Sequence, residues 1–295
     1  MRITEGSMTS NLLASINSSK ERILLLQAQL ATMKRVLKPS DDPQAAQVLV
    51  RLNGMLDRNA QYQKNIAEGT SSMETTNTAL GTFADVMDQA RQAMTAAANN
   101  PDPSALSGYA DQLDQLLSDA VDTANTQFNG RYVFGGTQTT SPPFILAPDR
   151  SAVTVNPNGI TGTIQYPAGE GVTATVNING QEAFNGTSPF DLLIQVRDAL
   201  RAGTVPTQAQ LDAANAAVNY TNSESAKAGT ILKTLAANGS QLDQQKIQIQ
   251  SLVSAQQDVD VSDIVMKLKM EQNSLDATLS VGAQILPKSL VDFLK

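Results

Sequence analysis

Three groups of residues in this chain have types and spacings that chemistry could use. Asp41-Asp42 places two carboxylates side by side, as paired acid–base catalysts require. Asp258, Asp260 and Asp263 repeat acidic side chains at the short intervals of a calcium loop. Gly135-Gly136 has the backbone freedom that lets a loop wrap a phosphate. Each group also has a plainer reading. Asp41 or Asp42 just before Pro43 is the sequence of a helix N-cap followed by its first helical residue. The acidic run at 258–263 lacks the glycine and closing glutamate of a calcium loop and suits the electrostatics of a helix start. No Lys-Ser/Thr pair follows Gly135-Gly136 in register, so it reads as a turn.

The chain has no His and no Cys among its 295 residues. Imidazole chemistry, cysteine nucleophiles, thiolate zinc sites and disulfides are thereby excluded. No catalytic residue, metal or cofactor is assigned, and the chain reads as a non-enzyme. Its net charge of −7 argues against nucleic acid as a partner. The largest basic cluster, Lys34, Arg35 and Lys38, fits a solvated helix end. Met1-Arg2-Ile3-Thr4-Glu5-Gly6 opens no secretory signal, because no apolar core follows it. No stretch approaches the roughly 20 apolar residues of a membrane-spanning helix, so membrane insertion is not expected.

The elements that would position these residues are mostly helical. Aromatics make up 4% of the chain and Trp is absent, which suits narrow helical seams better than aromatic cores. Leu12, Ile16, Ile23, Leu26, Leu30 and Met33, with Ser19 filling the gap, step by four and three as a coiled-coil seam does. The pattern predicts a first helix stopping near Lys38-Pro39. A second helix from Pro43 carries the heptad Ala45, Leu49, Leu52, Leu56, Asn59, Gln63, Ile66, Thr70, Met73, Asn77, Leu80, Ala84 and Met87. With no breaker before Asn99-Asn100-Pro101, it would span ~80 Å. Polar seam positions such as Asn59 and Asn77 weaken such a seam but can fix its register.

Ser104 reads as the cap of a third helix that ends near Asn129-Gly130. Val, Ile and Thr then concentrate in 152–155, 160–166 and 172–178, with Asn158-Gly159 and Asn179-Gly180 as hairpin turns. Together they predict a small antiparallel β module across about 140–186. Ser188-Pro189 restarts helix, and Thr207 with Gln210 forms a capping box for a long helix to about Gln257. Its seam includes Ile231, Leu235, Leu242, Ile249 and Leu252. A last helix opens at 259–263 and carries Ile264, Leu268, Leu275, Leu279, Leu286, Leu290 and Phe293, with Pro287 interrupting it late.

The expected fold is mainly α with a small β insertion. The helices from the two termini pair as an elongated antiparallel rod, and a central antiparallel β module is inserted between them. Three regions follow: terminal helices 1–40 and 258–295, a long-helix rod of 41–138 and 187–257, and a β-rich outer segment at 139–186. The terminal apolar stripes are expected to serve packing between subunits, once they have paired within the chain. Those interface residues are Leu12, Ile16, Ile23, Leu26, Leu30, Met33, Ile264, Leu268, Leu275, Leu279, Leu286, Leu290 and Phe293.

Leu30 to Val48, through Arg35-Val36-Leu37-Lys38-Pro39-Ser40-Asp41-Asp42-Pro43, resembles the N-terminal motif of the bacterial flagellin family. Asp258 to Lys295 resembles that family's C-terminal helix. Pro39-Ser40-Asp41-Asp42-Pro43 is more similar to the turn of the family's hook–filament junction members than to that of filament subunits. Phe128-Asn129-Gly130-Arg131-Tyr132-Val133-Phe134-Gly135-Gly136 and Pro142-Pro143-Phe144 resemble the same members' exit into an outer segment. The resemblance implies a structural role in the flagellum and export without a cleaved signal. It also implies these partners: another hook-associated junction protein, flagellin, copies of the chain itself in a ring, and a cytoplasmic export chaperone. A filament subunit, or a surface adhesin with the β module as its binding end, remain alternatives.

Overall fold

The computed structural model describes the backbone of residues 5–292 and the side chains of residues 7–283. Among the described residues, seven helices and six short strands follow one another. They are α1 (Glu5–Thr32), α2 (Pro43–Asn99), α3 (Pro103–Ala124), β1 (Gln127–Phe128), β2 (Arg131–Tyr132), β3 (Phe144–Leu146), β4 (Val153–Val155), β5 (Gln165–Gly169), β6 (Val172–Thr175), α4 (Gly180–Phe184), α5 (Ser188–Arg201), α6 (Gln208–Gln257) and α7 (Val261–Asp292). The fold is mainly helical with small antiparallel strand pairs, as the sequence predicts. Two compact units divide it, Met1–Arg58 with Gln245–Lys295, and Asn59–Gln244.

In the first unit α1 packs along α7. Helix α1 stops at Thr32, earlier than Lys38-Pro39, because Met33 turns into the left-handed region at φ 55°. The freed segment is then used as an extended strap. Lys34 bridges Asp258 antiparallel, Arg35 N donates to Gln257 O at 2.6 Å, and Val259 N donates to Met33 O at 3.2 Å. Val36, Ala45 and Leu49 bury together, with Val253 against them. Leu252, expected in the seam, is 55% exposed, because Val253 lies one full turn beyond buried Ile249 and takes the inward position. Helix α7 continues to Asp292, past the interruption expected at Pro287.

In the second unit the heptad of α2 is visible as burial. Asn59, Ile66, Met73, Leu80, Met87 and Met94 recur every seventh residue, and all are buried. On α6, Ala214, Thr221, Ala228, Leu235 and Leu242 do the same. Polar side chains tie the two helices in one antiparallel register. Asn59 Nδ2 donates to Leu242 O at 3.0 Å, Gln63 Nε2 to Asp243 Oδ1 at 2.6 Å, and Ser225 Oγ to Asn77 Oδ1 at 2.8 Å. Thr207 N reaches Gln210 Oε1 at 2.9 Å, completing the capping box that starts α6.

The β region forms three separate two-stranded hairpins, β1–β2, β3–β4 and β5–β6. The Asn-Gly pairs exchange the roles expected of them. Asn129 and Gly130 both have positive φ, 49° and 74°, which is the tight turn joining β1 to β2. Helix α3 ends before them, at Ala124. Asn179 instead caps α4, accepting from Glu182 N at 3.0 Å. Asp102, with Pro103 behind it, is the cap of α3; Ser104 only donates to it. Thr187 is the cap residue before α5, one place ahead of Ser188.

Segments 144–178 share one core with the helices, through Phe144, Val153, Ile160, Ala168, Ala174, Val176 and Ile178. At its centre lie Phe83, Phe134, Phe144, Phe184 and Phe190, all fully buried and in mutual ring contact. The chain after β6 lies so close to α2 that a Cβ at Gly69 would stand 2.6 Å from Val176 Cγ1. Gly69→Ala is therefore expected to cost about 1–3 kcal/mol in urea unfolding. Combining it with Val176→Ala should cost less than the two single changes added, because the shorter side chain removes the clash.

Candidate assembly surface

The carboxylates that might suggest chemistry all have local partners. Asp42 Oδ1 accepts from Ala45 N at 2.9 Å and its Oδ2 meets Arg35 Nη1 at 2.9 Å. Those two contacts, the backbone one first, hold its pKa below the ordinary value. Asp41 Oδ2 accepts from Leu37 N and Lys38 N and so shapes the turn before Pro43. Asp260 accepts from Ser262 N and Asp263 N at the start of α7, Asp263 pairs with Lys267, and Asp258 accepts from Ser254 Oγ. Among the described residues no group of three or more acidic side chains gathers as a metal site. Gly135 and Gly136 sit in a tight loop before β3, where Thr137 N donates to Thr161 O.

The apolar stripes of α1 and α7 are brought together. Leu12, Ile16, Ile23, Leu26 and Leu30 are half-buried on α1, with Ser19 buried among them. On α7 Ile264 is buried and Leu268 and Leu275 are half-buried. Leu12 rests against Gly282, where a Cβ would come within 2.9 Å of its Cδ2. Arg22 crosses to Glu271 with two hydrogen bonds, 2.7 and 3.2 Å, while its other contacts reach Ser18 and Ser19. The hydrogen bond to Glu271 raises the Arg22 pKa further, so this cross-link stays charged. Met33 and Leu279 remain about half exposed. Leu286, Leu290 and Phe293 lie outside the residues whose side chains are described.

A second apolar face was not singled out from the sequence. Leu13, Leu24 and Leu25 on α1, and Val265, Met266, Met270 and Val281 on α7, are all exposed. The signal for it is the aliphatic run Ile23 to Leu26. Four consecutive residues at 100° per residue spread over most of a helix circumference, so no single partner helix can cover them all. The α1–α7 pair therefore buries one stripe internally and leaves another to solvent. Among the described residues no helix is long and apolar enough to cross a membrane.

The molecule thus has a long paired-helix frame, a strap closed by an Asp-capped turn, and an exposed apolar face on both terminal helices. Residues 3–139 match the family model of the bacterial flagellin N-terminal helical region. Along its length the chain is similar to flagellar hook-associated protein 3 of Salmonella typhimurium, 26% identical over 98% of each chain. The fold is shared with two solved structures. One is flagellar hook-associated protein 3 of Legionella pneumophila, at TM-score 0.62 and 13% identity, over 69% of this chain and 97% of that one. The other is FlgL of Bacillus cereus, at TM-score 0.58 and 20% identity, over 69% of this chain and 99% of that one.

Proposed function

We propose that this chain is a structural, non-catalytic subunit of the bacterial flagellum, a hook-associated protein that joins hook to filament and supports flagellin assembly for motility. The similarity to hook-associated protein 3 along the whole of both chains carries this reading. The exposed apolar face of α1 and α7 supports a place for it in an assembly. Its partners are a second hook-associated protein, flagellin and copies of itself in a ring, with a cytoplasmic chaperone holding it before export. Its place is extracellular, at the hook–filament junction.

The assembly surface consists of the terminal stripes and the face beside them. Leu12, Ile16, Ile23, Leu26, Leu30, Ile264, Leu268 and Leu275 pair α1 with α7, and the pair then presents Leu13, Leu24, Leu25, Met266 and Met270 to a neighbour. Burying such a face removes apolar area at roughly 25 cal/mol per Å². Residues 1–40 with 258–295 then act as assembly helices, 41–138 with 187–257 as the frame, and 139–186 as the outward segment.

Deleting residues 1–38 or 259–295 tests this. The expected result is a chain whose second unit still melts cooperatively by circular dichroism but which no longer supports filaments in a strain lacking the gene. A truncated chain that restores filaments would show that the terminal helices are not the assembly surface.

A further inference from the structure

Aromatic residues are scarce in this chain, and five phenylalanines are used up in the buried cluster. Three of the remainder, Phe128, Tyr132 and Tyr166, nevertheless converge on one cavity of about 370 Å³ between α2 and the β1–β2 and β5–β6 hairpins. That volume is in the range of small-ligand sites, which combine apolar walls with a few polar groups. Glu68 and Arg131 stand among its walls with opposite charges. Arg131 is exposed and has no ion-pair partner among the described residues, and the Tyr132 hydroxyl likewise has none. Among the described residues Glu68 is engaged only by a long 3.4 Å hydrogen bond from the Tyr166 hydroxyl. Burial, and then the charge of Glu68, raise the Tyr166 pKa, so that hydroxyl remains a donor at neutral pH.

The walls are held in place. Arg131 and Tyr132 follow directly on the Asn129-Gly130 turn, and Tyr132 N donates to Thr139 O at 2.9 Å. Asn177 fixes the far side, accepting from Ile164 N at 2.7 Å and donating to Gly162 O at 3.0 Å.

Phe128 also borders a more open trough of about 490 Å³ along α2. The hydroxyls of Thr75, Thr78, Thr82 and Thr123 there each donate to the carbonyl one turn earlier in their own helix. Only their lone pairs are left to face the trough. Such a surface accepts hydrogen bonds and donates few, so it suits a ligand rich in hydroxyl donors. Negative charge is favoured at one place, the guanidinium of Arg131, which can take a carboxylate with two parallel hydrogen bonds. Sugar rings also have apolar faces that lie flat on aromatic side chains, while Glu68 can accept from their hydroxyls.

We propose that this cavity binds a carboxylated saccharide, with Arg131 on the carboxylate and Phe128, Tyr132 and Tyr166 walling the ring. The proposal does not depend on the role at the junction, because the binding is read on the isolated full-length chain. The test is calorimetric titration with methyl β-D-glucuronide and with methyl β-D-glucoside, on the wild-type protein and on Arg131→Ala. Arg131 is exposed, so its replacement leaves the fold intact, and an unchanged melting curve verifies this. The glucuronide should bind at least about tenfold more tightly than the glucoside, and Arg131→Ala should remove that difference. Glu68→Gln should weaken both sugars. Equal affinity for the two sugars, an undiminished preference in Arg131→Ala, or no glucuronide binding by the wild-type protein would overturn the proposal.

Discussion

Phe184→Ala is expected to lower the stability of the second unit by about 3–5 kcal/mol. Phe184 is fully buried and touches four other rings, with centroid distances of 4.4 Å to Phe83, 4.7 Å to Phe134, 5.5 Å to Phe144 and 6.1 Å to Phe190. Those rings come from α2, the loop after β2, β3 and α5, so one truncation loosens four segments at once. The edge-on and tilted geometries add to simple area burial. Neighbours fixed on separate segments cannot readily collapse into the void, which places the cost in the upper part of the range for such substitutions. In a unit of this size the melting temperature should fall by about 10 °C. Phe184→Leu, which refills much of the volume, should recover over half of the loss. A drop of only a degree or two for alanine would mean that the ring cluster does not organise this core.

Asp114→Ala is the second large effect, at about 3 kcal/mol. Arg197 is 3% exposed, and Asp114 Oδ1 accepts from its Nη1 at 2.9 Å. Arg150, at 2.6 Å, meets the other oxygen of the same carboxylate, and Arg197 also donates to Arg150 O at 2.8 Å. One carboxylate on α3 thus ties α5 to the loop of the β3–β4 hairpin. Removing it leaves a buried guanidinium with only the half-exposed Asp198 as counterion. Arg197→Met should cost less, because Asp114 keeps Arg150.

The pH dependence follows from the same contacts. Burial pushes the Asp114 pKa up, but the hydrogen bonds from Arg150 and Arg197 outweigh it and hold the value below the ordinary one. A carboxylate with a lower pKa folded than unfolded adds stability above its unfolded value of about 3.9. That contribution disappears as pH falls from there through the folded value. The difference between wild type and Asp114→Ala should therefore be full at neutral pH and shrink below about pH 4. A difference that stays constant into acid would remove the ion network from the account.

What the sequence discloses here is what repeats. Each of the thirteen α2 seam positions read from four-and-three spacing, from Ala45 to Met87, is buried or half-buried. Periodicity survives because the same face meets a partner over many turns. The Thr207–Gln210 box and the Asp-Pro start of α2 were also legible, since a cap is built from residues within one turn. Features decided by distant segments were not. The left-handed Met33 depends on a bridge to Asp258, far along the chain. Asn129-Gly130 and Asn179-Gly180 are the same dipeptide, yet one turns a hairpin and the other starts a helix, because the flanking segments differ in what they pack against. The three hairpins could not be told from one sheet, since short Val/Thr runs carry no information about which neighbour they join. The exposed face of α1 and α7 was present in the run Ile23–Leu26. The four-and-three seam accounts for only part of the apolar content of α1, because Leu13, Leu24 and Leu25 lie off it.

The most direct measurement of the central claim is electron microscopy of a strain lacking this gene, with flagellin assayed in the medium. The account predicts hooks without filaments and flagellin released to the medium, both reversed by the full-length chain. Normal filaments on the mutant would contradict the junction role and bring the adhesin or minor-filament reading forward.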